Sequence, residues 1–374
     1  MRYKLSVLRG DKMKKKIGIL TFHQCINYGA ILQTFALQKY LNRFDNVNAE
    51  VINYENKTFK EKYTIRRFFK KQKISYFIYN YLVMPFWFIK KHRFNKFTKK
   101  NIKISKLCKN SSQIKDYDLY VVGSDQVWNL STTNYDYTYF LDFVCDNKKK
   151  SSYAASFGVD KLPAVATEKV KKLLSSFNSI SVRENQGKSI VSTLVKNNVD
   201  VVLDPTLLLN KDEWLKYASN CNKSNEKYVL IYQLAYSKSL VNFAKKIANK
   251  KGYRIVTIDG NPRQFIRAKY VLSAGPSEWL KLFFNAECIV TNSFHGLVFS
   301  LNLNKNFFFE YLKNGITVNS RLKNVAEIFK IEDRLIDNNL NNTEYNNPDF
   351  EKINKILDFE RAKSYKWIEN NILK

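Results

Sequence analysis

The sequence is short of the residues that build disulfide frameworks and metal centres. Its five cysteines (Cys25, Cys108, Cys145, Cys221 and Cys288) are scattered with no close pair. An odd number at wide spacing argues against a disulfide framework or a zinc site. Several of these thiols lie in apolar runs, as buried cysteines in a reducing compartment do. Only three histidines are present, and no His/Asp/Glu cluster marks a metal centre, so no metal is expected. Glycine is scarce at eleven residues, and no loop carries the three glycines of a dinucleotide fingerprint. The opening MRYKLSVLRGDKM has no apolar core of signal-peptide length. Met13 precedes three lysines and a strand pattern, so Met1 and Met13 both stand as starts, and a cytoplasmic protein is expected from either. No internal repeat or low-complexity segment is found.

Acidic residues are the other shortage, 33 Asp and Glu against 63 Lys and Arg, for a net charge of +30. Such an excess ordinarily points to nucleic acid or an anionic membrane. Here the chain is full of Lys, Asn, Ile, Tyr and Phe and poor in Ala, Gly and Arg, the bias a low-GC genome imposes. Much of the lysine excess therefore reads as surface drift, and no nucleic-acid partner is expected. What survives is an attraction for anionic ligands and acidic lipid headgroups. The basic residues concentrate in residues 57–105, where fifteen Lys and Arg face a single acid, Glu61, among thirteen aromatics. Within that segment Ile74 to Ile89 is largely apolar for sixteen residues. That is too short to span a bilayer, and Asn80 and Pro85 are expected to break it. Basic flanks around an aromatic stretch suit peripheral contact with the anionic inner membrane face. A helical insertion packed on the core, with its lysines solvated, explains the same pattern.

With 374 residues and 45% hydrophobic content, the chain can fill two ordinary domains. Short β-branched runs recur: Ile17-Gly18-Ile19-Leu20, Leu119 to Val122, Tyr153 to Ala155, Ser179 to Val182, Val201 to Leu203, Tyr228 to Gln233, Arg254 to Ile258 and Cys288 to Val290. Helical patterns interleave with them at Ala30 to Leu41, Leu240 to Lys250, Ser277 to Asn285 and Arg321 to Phe329. Such alternation predicts an α/β fold with parallel sheets covered by helices on both faces. The pattern divides into an N-terminal domain over 13–204 with the insertion at 57–105, a C-terminal domain over 205–345, and closing helices over 346–374.

Polar segments follow several of these strands, where open α/β sheets build their sites. Thr291-Asn292-Ser293-Phe294-His295-Gly296 joins a strand to a helix, and His295 stands where acid/base work or simple helix capping would both place it. Asn27-Tyr28-Gly29-Ala30 opens the first helix, where a glycine lets backbone N–H groups approach an anion. Asp125 and Gln126, in Gly123-Ser124-Asp125-Gln126-Val127-Trp128-Asn129, can bind sugar hydroxyls with Trp128 stacked on a sugar ring; a structural turn anchored by Trp128 reads equally well. Arg183, just past a strand, can clamp phosphate or carboxylate bidentately, or pair with Glu184 or a neighbouring helix. Asp204-Pro205-Thr206 reads as a structural turn, and His23 as a loop residue with local hydrogen bonds.

As an ordered set, NYGAILQ, GSDQVWN, Ser156-Phe157-Gly158, SVRE, VLDPTLLL and TNSFHG resemble the polysaccharide pyruvyl transferase family from about Lys14 to Arg321. The resemblance implies a GT-B-like architecture, two Rossmann-like domains with a cleft between them. It implies transfer of a pyruvyl group from phosphoenolpyruvate to hydroxyls of a cell-surface glycan or lipid-linked saccharide, forming a ketal without a cofactor. On this resemblance His295 is the acid/base, Arg183 a donor-anion ligand and Arg321 a second clamp. One departure stands out: many members carry an arginine where this chain has Ser293. Two other readings remain: a GT-B glycosyltransferase using a nucleotide-sugar, with Glu278 as a donor-binding residue, and a non-catalytic glycan or membrane adaptor.

Overall fold

The computed structural model describes residues 14–56, 74–219, 226–258, 266–312, 319–336 and 346–374, with backbone alone over 74–80. Met13, Cys221 and the first part of the basic segment, residues 57–73, lie outside these ranges. Two parallel sheets organise the chain. The first contains β1 (Lys15–Leu20), β2 (Val47–Val51), β3 (Leu119–Val122), β4 (Lys150–Ala155), β5 (Ser179–Val182) and β6 (Val199–Val201), in the order β2-β1-β3-β4-β5-β6. The second contains β7 (Tyr228–Tyr232), β8 (Arg254–Ile258), β9 (Lys269–Val271), β10 (Cys288–Thr291) and β11 (Asn306–Phe309), in the order β11-β10-β7-β8-β9. Every strand pairing among the described residues is parallel, with Leu20 opposite Val122 and Val290 opposite Ile231 at the centres.

Both orders reverse once, between β1 and β3 and between β7 and β10. Ligand crevices of open α/β sheets form outside the carboxyl ends of strands at such reversals. The crossovers and flanking helices of nine residues or more are α1 (Tyr28–Leu41), α2 (Ile74–Asn101), α3 (Ala164–Leu174), α4 (Asn185–Leu194), α5 (Lys238–Lys251), α6 (Pro276–Asn285), α7 (Phe294–Asn302), α8 (Ser320–Phe329) and α9 (Phe350–Ile368). Their starts follow capping chemistry. Asn27, Ser237, Ser293 and Asp349 each accept a hydrogen bond from a first-turn amide of the helix they precede. Glu278 supplies the returning half of a capping box on α6, accepting from the Gly275 N–H at 3.0 Å.

Three apolar cores result. One lies on the outer face of each sheet, and a third runs continuously from α1 through α6, α7 and α9, joining the two halves. Tyr28 stacks on Trp279 at 5.6 Å across that junction, and Phe35 meets Trp214. The closing helix α9 returns to the first sheet: Ser364 Oγ accepts from the Leu203 N–H at 3.0 Å, and Trp367 Nε1 donates to Asp200 at 3.1 Å.

Two expectations need correction. Neither Asn80 nor Pro85 breaks the apolar stretch; both lie inside the continuous helix α2, whose neighbouring turns carry the segment past the one N–H that proline lacks. Trp128 is fully buried, stacked on Phe140 at 5.6 Å, with its indole N–H donated to the Tyr139 carbonyl. It is a core anchor and presents no face to a sugar. Among the described residues no helix is long and apolar enough to cross a membrane.

Candidate active site

Three helices begin at the junction of the halves, and each contributes its second residue: Gly29 of α1, His295 of α7 and Arg321 of α8. Opposite them stand the segments that leave the carboxyl ends of the first sheet: Asp125 after β3, Ser156 after β4, Arg183 and Glu184 after β5, and Asp204 after β6. The helix N-termini favour negative charge at this place.

The hub is Asp204, whose side chain is wholly buried. One oxygen, Oδ1, accepts from the Thr206 amide at 3.0 Å and the Thr206 hydroxyl at 2.7 Å. The other, Oδ2, accepts from Arg183 Nη1 at 2.9 Å and from Ser124 Oγ at 3.2 Å, and lies 3.8 Å from His295 Nε2. Burial alone would raise this carboxyl, but His295, the Arg183 guanidinium and the Thr206 hydrogen bonds hold it below the usual carboxylate range. Arg183 is permanently charged, so it carries that effect.

Arg183 is 3% exposed and sits among three carboxylates. Besides Asp204 it approaches Asp125 through Nη2 at 3.6 Å and Glu184 through Nε at 3.7 Å. Among the described residues both of those nitrogens lack a hydrogen-bond partner. Its guanidinium lies 4.6 Å from the centre of the Phe294 ring, and that of Arg321 lies 5.8 Å from the same ring. The arginine is thus held by ion pairs and still has unused donors, which combines both sequence readings of Arg183. Arg321 is the freer cation. It makes no ion pair among the described residues, its Nε is unpartnered, and burial together with Arg183 pulls it down to about 10. It stays charged at neutral pH, buried and short of an anion.

His295 is packed in place by glycine. A Cβ on Gly29 would fall inside the imidazole at Nδ1, so only glycine lets α1 approach this ring. Gly296 is needed for the same reason against Thr291. The ring is buried, and its Nε2 has no hydrogen-bond partner among the described residues. Burial pushes its pKa below the ordinary histidine value, Asp204 and Asp125 pull it back, and the two arginines push it down. It rests neutral, with a carboxylate placed to stabilise the imidazolium. Glu184 is its counterpart beyond Arg183: burial raises it, only partly offset by the arginines and by Ser156 Oγ, which donates to Oε1 at 2.7 Å.

The remaining candidates divide. Asp125 joins the cluster from a left-handed backbone (φ +74°), a strained conformation for a non-glycine residue. Gln126 packs against Gly158 beside it. Asn27 and Ser293 spend their side chains capping α1 and α7. Glu278 caps α6 beside Arg93, and no hydrogen bond or ion pair among the described residues ties it to the cluster. His23 is a loop residue bonded to Thr21 and Asn53. The residue underrated by sequence is Asp204; its signal was a third acidic strand exit in the same half as Asp125 and Arg183.

The profile of the polysaccharide pyruvyl transferase family matches residues 27–313, which takes in every strand exit of this cluster. The chain belongs to that family. No curated protein sequence matches it. A solved UDP-N-acetylglucosamine 2-epimerase superposes with a TM-score of 0.50 at 11% identity, covering 97% of each chain. The UDP-GlcNAc 2-epimerase of Neisseria meningitidis bound to UDP-GlcNAc gives 0.47 at 11% identity over 96% of this chain and 99% of that one. MurG of Acinetobacter baumannii gives 0.40 at 10% identity over 96% and 100%. At such identity the first likeness shows the fold alone: this pyruvyl transferase family member has the GT-B-type arrangement of two Rossmann-like halves.

Proposed function

We propose that the chain transfers a pyruvyl group from phosphoenolpyruvate to two hydroxyls of a cell-surface glycan or its lipid-linked precursor, closing a cyclic ketal and releasing inorganic phosphate. One observation carries this reading beyond family membership. His295 Nε2, Arg183 Nε and Nη2 and Arg321 Nε are all buried and unpartnered among the described residues; Asp204 joins His295 to Arg183, and the Phe294 ring lies against both arginines. Buried polar groups are ordinarily satisfied, so a set of orphaned donors beside an orphaned imidazole nitrogen calls for a small anionic ligand. Phosphoenolpyruvate fits, with a carboxylate and a phosphate for two cations.

The reaction needs a base for the attacking hydroxyl, and a neutral His295 can take that proton. The imidazolium then lies 3.8 Å from Asp204, which the arginine keeps ionised. Arg321 substitutes for the cation that Ser293 does not supply. No cofactor takes part in this scheme. The acceptor, assembled on a lipid carrier, would bring the enzyme to the anionic inner face of the membrane. The exposed Tyr81, Leu82, Phe86, Phe88 and Ile89 of α2, followed by exposed Lys91, Lys96, Lys99 and Lys100, support peripheral docking there.

Calorimetry of phosphoenolpyruvate against the wild type, Arg321→Ala and His295→Ala tests the donor. Arg321→Ala is expected to weaken binding roughly 10- to 100-fold, the loss of a charge-assisted hydrogen bond, while His295→Ala keeps binding. Arg183→Ala is a poorer probe, because it strips Asp204 of its ion pair. Absence of binding to the wild type, with a nucleotide-sugar bound instead, would hand the site to a GT-B glycosyltransferase.

A further inference from the structure

We propose that Glu184 is the second proton carrier of this site, delivering a proton to the methylene carbon of the donor while His295 receives one from the sugar hydroxyl. The assignment rests on the pyruvyl-donor reading and follows from how the cluster is laid out. Arg183 divides it. Nη1 points to Asp204 and, beyond it, His295; Nε points to Glu184. The two titratable groups therefore stand at different nitrogens of the Arg183 guanidinium, and an addition across a double bond needs two separate proton carriers of this kind. One group must deprotonate the nucleophile, and another must protonate the far carbon.

The three carboxylates are not equivalent. Asp204 accepts four hydrogen bonds. Asp125 accepts from the Gln126 amide at 2.9 Å and is partly open to solvent. The Glu184 side chain is 2% exposed; among the described residues it takes a single hydrogen bond, from Ser156, and its buried Oε2 takes none. It is the carboxylate whose charge the protein does least to support.

Charge counting points the same way. With all three carboxylates ionised, the two arginines leave the cluster one negative charge in excess. Phosphoenolpyruvate adds a charge between about −2.5 and −3 at neutral pH. So much negative charge at low dielectric is tolerated only if protons follow it in, and among the carboxylates Glu184 is where the first would bind.

The protons then balance. In the addition step the hydroxyl oxygen bonds to C2 of the donor, its proton passes to His295 Nε2, and the Glu184 proton passes to C3, turning methylene into methyl. In the second step another hydroxyl of the acceptor displaces phosphate from C2. Its proton returns to Glu184, and the His295 proton leaves with the phosphate. Both side chains are restored, and the products are the ketal and inorganic phosphate.

The experiment uses the full chain and phosphoenolpyruvate as the probe. Calorimetry in buffers of different ionisation enthalpy counts protons taken up on binding, and infrared difference spectra report a protonated carboxyl. Glu184→Gln keeps the Ser156 hydrogen bond and the shape of the side chain, and Glu310→Gln, a change at another buried carboxylate with an unpartnered oxygen, is the control. Wild type and Glu310→Gln are expected to show proton uptake and a protonated-carboxyl band. Glu184→Gln should lose the band and a large part of the uptake, while binding the donor within about threefold of wild type, a difference under 1 kcal/mol. A purely counter-ionic Glu184 would stay ionised, so an unchanged band and unchanged uptake in Glu184→Gln overturns the assignment while donor binding stands. Failure of the wild type to bind phosphoenolpyruvate removes the donor reading and this assignment with it.

Discussion

Replacing Asp204 with Asn tests the coupling that links the two halves of the site. Oδ2 lies 3.8 Å from His295 Nε2, and both groups are buried. Opposite unit charges at that distance attract by about 4 kcal/mol at an effective dielectric near 20. The Asn dipole and relaxation recover part of this, leaving a loss of about 2–4 kcal/mol in imidazolium stability. That corresponds to a proton affinity roughly 30- to 1,000-fold lower. His295 already sits below the ordinary histidine value, so its titration midpoint moves further down. The stability profile follows by linkage. A histidine depressed on folding stays neutral in the native state while the unfolded chain takes up a proton below about pH 6.5, so stability falls as pH drops through that value. Asp204→Asn carries that decline to lower pH. It also removes the stabilisation Asp204 gives, which is present above about pH 3.9 and lost only as pH falls through its depressed native value. The assay is favourable because the chain has only three histidines. Imidazole correlation spectra over pH follow His295, with His295→Asn for assignment and circular dichroism to confirm folding. Asn still accepts from Thr206, but Arg183 loses its closest anion, so a stability cost of about 3–5 kcal/mol is expected. Asp125→Asn, with the same sign and a smaller effect, serves if Asp204→Asn does not fold. A midpoint that stays put or rises in either folded variant refutes the coupling.

Gly29→Ala forces a methyl group into the His295 ring. It is expected to shift the His295 resonances and cost about 1–3 kcal/mol in urea unfolding; unshifted resonances would mean that α1 does not pack on the imidazole. Reversal of Lys91, Lys96, Lys99 and Lys100 to Glu should release the protein from phosphatidylglycerol vesicles. Each lysine near such a surface contributes about 1 kcal/mol, so partitioning should fall roughly 500-fold or more; unchanged sedimentation would leave α2 as packing. Lys90 is excluded from that set because it is buried over the Tyr28 ring at 4.6 Å. Trp128→Ala is expected to destabilise by about 3–5 kcal/mol, as large-to-small core changes do, without a specific loss of donor binding.

The interiors of the strands and helices were legible because buried parallel strands leave short β-branched runs. Leu119 to Val122, Ser179 to Val182 and Arg254 to Ile258 coincide with β3, β5 and β8. The polar-flanked strands were harder. Asn48 and Glu50 interrupt β2, and Asn306 opens β11 before three phenylalanines that read equally well as helix. Pro85 misled for a physical reason: removing one amide donor does not end a helix of 28 residues.

Within the site, legibility followed how local each residue's duty is. Asn27, Ser293 and Glu278 stand in segments that sequence reading connected with donor binding, whereas their capping partners lie within three residues. Asp204 is the reverse case. Asp-Pro-Thr spells a turn, and Thr206 does close one with it. The second oxygen serves groups 80, 21 and 91 residues away, Ser124, Arg183 and His295. No local pattern encodes that duty; it arises because β3, β4, β5 and β6 end along one edge of the first sheet and α7 begins against them. A carboxylate that stays ionised beside Arg183 and a carboxyl raised by burial at Glu184 are consequences of that placement, so proton chemistry at this site depends on the two sheets meeting. Any change that separates α1 from α7 should therefore shift His295 toward ordinary histidine behaviour before it unfolds either sheet.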